Sequence, residues 1–137
     1  MTQDCKERVG EELRERITDI RKLWRLYQKN PEASDPELGS FEEYGLSFDY
    51  VPRGTFKDQR RGYFRWQLSW GGPADEFRFY TDENLEPVTI EYWYLDWFDG
   101  AKADLSGKDH DLLNEIFQDF KEIGVVEAER DKALKES

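Results

Sequence analysis

One cysteine, one histidine and one methionine in 137 residues leave little room for sulfur or imidazole chemistry. The single thiol, Cys5, cannot form an internal disulfide, and together with His110 it cannot complete a soft-ligand zinc site. No apolar run approaches the roughly 18 residues of a membrane-spanning helix. The first thirty residues are charged throughout and lack the apolar centre of a signal peptide. A soluble, cytoplasmic chain is the expectation. Positive charge is also scarce, with 20 basic against 31 acidic side chains and a formal net charge of −11. Such a molecule repels nucleic acid and anionic membranes and attracts basic protein surfaces. Direct contact with nucleic acid or membrane is therefore not expected, whereas a basic, nucleic-acid-binding protein surface is the partner class the charge favours.

Hydrophobic residues at 37% and aromatics at 15% provide a core and exclude the low-hydrophobicity class of disordered chains. The length suits a single domain over residues 1–137. Val9, Leu13, Ile17, Ile20, Trp24 and Tyr27 recur at helical spacing and predict a helix from Lys6 to Lys29, stopped by Asn30 and Pro31. Alternating apolar and polar residues predict strands over Gly45–Val51, around Phe64–Trp70, around Phe77–Tyr80 and over Val88–Phe98. The second of these would carry Phe64, Trp66, Leu68 and Trp70 on one face. Asp99 and Gly100 read as the end of the sheet. Ser106 and Asp109 have the spacing of a capping box, and Leu112, Leu113, Ile116, Phe117, Phe120 and Ile123 form an apolar stripe ending at a C-cap residue, Gly124. Residues 125–137 read as a charged, weakly helical tail. The fold class expected is α+β: a long N-terminal helix, a four-stranded antiparallel meander, and a C-terminal helix on one sheet face.

Charge is unevenly distributed. Residues 1–30 hold eight basic and six acidic side chains, whereas residues 62–123 hold five basic and fourteen acidic. Asp111, Glu115, Asp119 and Glu122 step by four, four and three along the second predicted helix, and Asp104 and Asp109 extend the row. A four-residue step rises about 6 Å, comparable to the spacing of phosphates along a nucleic-acid strand. Such a ridge is either a solvated helix face or a docking edge for a basic groove, with Lys121 the only cation inside it. Trp93, Leu95 and Trp97 lie opposite Tyr92 and Tyr94 on the fourth strand, so one aromatic face is left either covered by a loop or the tail, or free for a homodimer or partner.

Catalytic and cofactor signals are weak. Gly71, Gly72 and Pro73 make a turn that lacks the lysine and hydroxyl of a phosphate loop. Asp75, Glu76, Asp96 and Asp99 could serve a carboxylate- or metal-dependent hydrolase, and Asp96 and Asp99 with Glu91 could offer oxygen ligands to a hard cation, although their spacing does not match an EF-hand loop. No catalytic residue, metal ligand or cofactor is assigned. Lys57, Arg60 and Arg61 form a compact basic cluster, readable as a solvated loop or as the counterpart of the acidic helix in a second copy.

The stretch LSWGGPADEFRFY from Leu68 to Tyr80, with IEYWYLDWFDGA from Ile90 to Ala101, resembles a block of small acidic proteins from bacterial plasmids, integrative elements and phages. The resemblance implies an anti-restriction or anti-CRISPR type of inhibitor that mimics nucleic acid. It supplies no active site. The reading is thus a non-enzymatic acidic binding protein acting through Asp104, Asp109, Asp111, Glu115, Asp119 and Glu122, with Trp93 and Trp97 as a second contact surface. The alternatives are a self-associating accessory protein using the aromatic face and the hydrolase.

Overall fold

The computed structural model describes residues 4–97 and 99–136. The chain opens with α1 (Cys5–Lys29), whose first turn is capped by Asp4 Oδ1 accepting the Glu7 amide at 2.9 Å. Of the predicted stripe Val9, Leu13, Ile17, Ile20 and Trp24 are buried, joined by Leu23, while Tyr27 at its end is only partly buried. Cys5 joins them at 2% exposure, so it is a core residue and not the near-terminal surface thiol its position suggests. Burial, and then the neighbouring Asp99, push that thiol above its ordinary value. After Pro31, β1 (Ser34–Asp35) and β2 (Gly39–Ser40) form a small two-stranded hairpin that delivers the chain into the single-turn α2 (Phe41–Tyr44).

The main sheet is an antiparallel meander in the order β3 (Ser47–Val51), β4 (Tyr63–Ser69), β5 (Ala74–Thr81), β6 (Pro87–Asp96) and β7 (Asp99–Asp104). It has five strands, not the expected four. The extra strand is β7, which pairs with β6 from Asp96 opposite Asp99 to Glu91 opposite Asp104. Asp-Gly-Ala-Lys-Ala-Asp contains no β-branched or aromatic residue, so it carries no strand propensity. It is a strand because β6 offers a free edge and because Ala101 and Ala103 are small enough to lie beneath α1 against the core. The expected strand end at Phe98 lies outside the described residues.

Two helices follow, α3 (Gly107–Glu122) and α4 (Val125–Glu136). The segment read as a weakly helical tail is therefore a second C-terminal helix; it anchors through the fully buried Val126 and packs on β3. Gly124 separates the helices at φ +89°, a left-handed conformation that glycine adopts without Cβ strain. Ser106 is the N-cap of α3 but makes no side-chain capping bond. The expected capping box is absent because Asp109 turns toward α1 instead.

One core lies between the helices and one sheet face. It gathers Phe64, Trp66, Phe77, Phe79, Ile90 and Tyr92 from the strands with Phe117 and Leu113 from α3 and the α1 stripe. Trp70 does not share that face: the register of β4 against β5 shifts between Gln67 and Ser69, and Trp70 emerges 65% exposed. The opposite face has no helix. Across it run Asp49, Arg65, Arg78, Glu91 and Asp104, each the cross-strand partner of the next.

Candidate acidic edge and the arginine-lined sheet face

The six carboxylates of the predicted ridge fall into two groups. Asp104, on β7, pairs with Lys102 at 3.0 Å. Asp109 is held by Arg14 and also reaches Arg21, both from α1. Glu115 accepts a hydrogen bond from Gln28 at 2.9 Å. Asp111 and Glu115 line a groove between α1 and α3 that also contains Arg21, Arg25 and Lys108. The first part of the ridge thus faces the positive side of α1, and its field is largely offset there.

The second part is different. Asp119 and Glu122, one helical step apart, are joined by Glu42 from α2. The short α2 is locally well defined: Ser40 Oγ caps it by accepting the Glu43 amide at 3.3 Å and donates its own proton to Glu43 Oε1 at 2.9 Å. Phe41 then anchors it among Trp24, Tyr27, Trp66 and Phe120, which sets Glu42 beside α3. Partial burial, then Glu122 and Glu42, push the Asp119 carboxyl above its ordinary value. The same two carboxylates, Asp119 and Glu42, add to burial in raising the Tyr27 hydroxyl. Among the described residues none of Glu42, Asp119 and Glu122 forms an ion pair. Lys121, expected to offset the ridge, reaches away to Glu86 Oε1 at 2.5 Å and to the Asn84 carbonyl at 3.0 Å. Three carboxylates are therefore assembled from two elements without a paired cation.

The carboxylates considered for hydrolysis do not converge. Asp75 and Glu76 point to opposite sheet faces, and Asp96 and Asp99 oppose each other across the β6–β7 turn. Asp75, 3% exposed, is the centre of a closed network under α1. It accepts from Arg16 Nε at 2.7 Å and Nη2 at 2.9 Å, from Ser69 Oγ at 2.5 Å and from Tyr92 Oη at 2.6 Å. Arg16 Nη1 donates onward to Tyr44 Oη at 3.0 Å, and Tyr44 Oη donates to Asp19 at 3.0 Å. Burial, with Asp19 adding to it against the opposing Arg16, pushes the Tyr44 hydroxyl up to about 12. Burial and the bond to Asp75 raise Tyr92 further. Glu76 is tied to Arg78 at 2.8 Å. Asp99 accepts the Cys5 and Gly100 amides, bonds that hold its carboxyl below the usual range. Among the described residues no group of three or more His, Cys, Asp or Glu side chains is arranged to hold a metal ion.

The two tryptophans also part company. Trp93, half-buried on the helix-free face, donates from Nε1 to Glu91 at 2.9 Å, and the Arg78 guanidinium lies 4.0 Å from its ring centroid. That face is a layer of arginines over rings: Arg78 also sits 4.7 Å over Tyr63, and Arg61 4.3 Å over Tyr80. Salt bridges Arg65–Asp49, Arg78–Glu76 and Lys102–Glu91 balance its charges. Trp97 instead caps the β6–β7 turn, 87% exposed at φ +55°, next to the Gly71–Gly72 turn.

Two features escaped sequence reading. Glu42 had no periodic context, since only packing brings a four-residue helix beside α3. The Arg16–Asp75 pair joins residues 59 apart and left no local pattern, although an arginine one step from the apolar stripe of α1 was a usable hint. No family model matches this chain, and no match was found among curated proteins or solved structures. Among the described residues no helix is long and apolar enough to cross a membrane.

Proposed function

We propose that this protein is a non-enzymatic binding protein that docks the edge formed by Glu42, Asp119 and Glu122 against a basic surface of the kind that nucleic-acid-binding proteins present to phosphates. The observation that carries this reading is geometric: Asp119 and Glu122 on α3 stand with Glu42 of α2 and form no ion pair among the described residues, while Lys121 reaches away to Glu86. Like-charged neighbours at helical spacing destabilise a helix by roughly 0.2–0.5 kcal/mol per pair, so the arrangement acts against stability and favours a partner that brings the missing positive charge. Asp111 and Glu115 flank the edge and would extend the contact. Asp104 and Asp109, held by Lys102 and by Arg14 and Arg21, would contribute less.

The chemistry is that of phosphate replacement. Lysines and arginines that neutralise a nucleic-acid backbone would pair with pre-positioned carboxylates, and affinity would fall steeply as salt rises. A competition experiment tests this. The protein should displace labelled duplex DNA from an arginine-rich DNA-binding peptide at low salt, and the Glu42→Lys, Asp119→Lys, Glu122→Lys triple variant should not. Equal displacement by both proteins would refute the assignment.

A second reading, self-association, draws on the exposure of Trp97 and Trp70 at one end of the sheet. Trp93, committed to Glu91 and Arg78, would play little part in it. A dimer that persists at high salt and is broken by Trp97→Ala would favour this reading.

A further inference from the structure

The β3–β4 loop, residues 52–62, and the helix-free sheet face form the walls of an open cleft of about 490 Å³. This volume lies in the range of about 300–1,000 Å³ common for small-molecule sites. Its lining reverses the sign of the molecule. Lys57, Arg60 and Arg61 contribute against a single carboxylate, Asp58, while Arg78 at its floor is already paired with Glu76. In a chain with 31 acidic residues, Lys57, Arg60 and Arg61 nevertheless form no ion pair among the described residues.

Rings support the cations. Arg78 is packed against both Trp93 and Tyr63 and bonded to Glu76, whereas Tyr80 underlies the exposed Arg61. A guanidinium supported in this way offers a flat cationic platform, suited both to stacking on a planar ring and to pairing with an oxyanion. An independent observation points to a missing acceptor or donor. Tyr63 lines the hollow, is 1% exposed, and among the described residues its hydroxyl has no hydrogen-bond partner. A buried hydroxyl left unpaired is unfavourable, and a ligand oxygen within its reach would relieve it.

We infer that this hollow is a binding site for a small anion bearing a planar ring, of the size and chemistry of a nucleoside monophosphate. In this assignment Lys57 and Arg60 take the phosphate, Arg61 on its Tyr80 support takes the ring, and Tyr63 supplies a hydrogen bond. A long nucleic acid does not fit, because the remaining surface carries net negative charge and would repel successive phosphates.

Calorimetry on the intact chain at low salt tests the inference with adenosine monophosphate, inorganic phosphate, adenosine and a single-stranded oligonucleotide as probes. The monophosphate should bind saturably, with phosphate and adenosine each weaker by about tenfold or more. Tyr63→Phe and Arg61→Gln should each weaken it by about tenfold, the loss expected for a hydrogen bond to a charged group. Lys57→Gln, at an exposed loop position that cannot disturb the fold, should weaken it as well. The inference is overturned by an absence of saturable monophosphate binding, by phosphate alone binding equally well, by the oligonucleotide binding more tightly, or by affinity unchanged in Lys57→Gln and Arg61→Gln.

Discussion

Replacing Asp75 by alanine removes the acceptor for four hydrogen bonds at once: two from Arg16, one from Ser69 and one from Tyr92. The side chain of Asp75 is 4% exposed and that of Arg16 24%, so most of the pair is out of water. Deleting one partner of a buried ion pair strands the other charge and costs about 3–5 kcal/mol, a large share of the 5–15 kcal/mol that stabilises an ordinary domain. Tyr92, fully buried, would lose its only acceptor as well. With a urea slope of about 1–3 kcal/mol per molar, the midpoint should fall by at least 1 M. Urea titration followed by tryptophan fluorescence reads this directly. Asp75→Asn, which keeps the shape but not the charge, should fall between the two proteins. A loss below about 1 kcal/mol in Asp75→Ala would refute the view that this carboxylate is committed to structure, and would reopen it as a chemical group.

Asp119→Asn should have the opposite sign. The folded-state carboxyl is raised, first by burial and then by Glu122 and Glu42, so its ionisation opposes folding above that value and the penalty disappears as pH falls through it; the variant should be slightly more stable than the parent at pH 7, with the gain vanishing in acid. Thermal melts at pH 7 and pH 3 check both halves. Asp35 behaves conversely. Its bond to Lys22, helped by the Glu37 and Leu38 amides, holds the carboxyl down at about 2, below the ordinary 3.8. Its contribution is complete above the ordinary value and is lost as pH falls toward 2, so Asp35→Asn should flatten the acid limb of the stability profile between those limits. Gly45→Ala should destabilise by about 1–3 kcal/mol, because a Cβ there would overlap the indole of Trp66, itself 4% exposed and hemmed in by Phe41, Phe77 and Phe120. Chemical denaturation measures it.

What could be read along the chain was whatever one element determines by itself. The α1 stripe from Val9 to Trp24 and the α3 stripe from Leu112 to Phe117 were legible because helical burial repeats within a few residues, whereas Ile123, expected to close the α3 stripe, is the C-cap and lies 62% exposed. The core faces of β4 to β6 were legible for the same reason at period two. β7 was not, since its alanines are chosen by the closeness of α1 and not by strand propensity. The ridge of carboxylates on α3 could be seen, but not its division into a half facing arginines of α1 and a half joined by Glu42. That division depends on how three separate elements pack, and charge spacing along one helix carries no record of its neighbours. Similarly, alternation placed Trp93 and Arg78 on the free face, yet only the cross-strand register reveals that one lies over the other.

The claim on which the functional account stands is that unpaired negative charge at Glu42, Asp119 and Glu122 is the surface that meets a basic partner. Titrating an arginine-rich peptide into isotopically labelled protein, at low and at physiological salt, addresses it residue by residue. The account predicts that backbone amides of α2 and the last two turns of α3 shift first, that those around Asp104 and Asp109 shift little, and that the response weakens sharply with salt. Shifts centred elsewhere, or an interaction indifferent to salt, would contradict it.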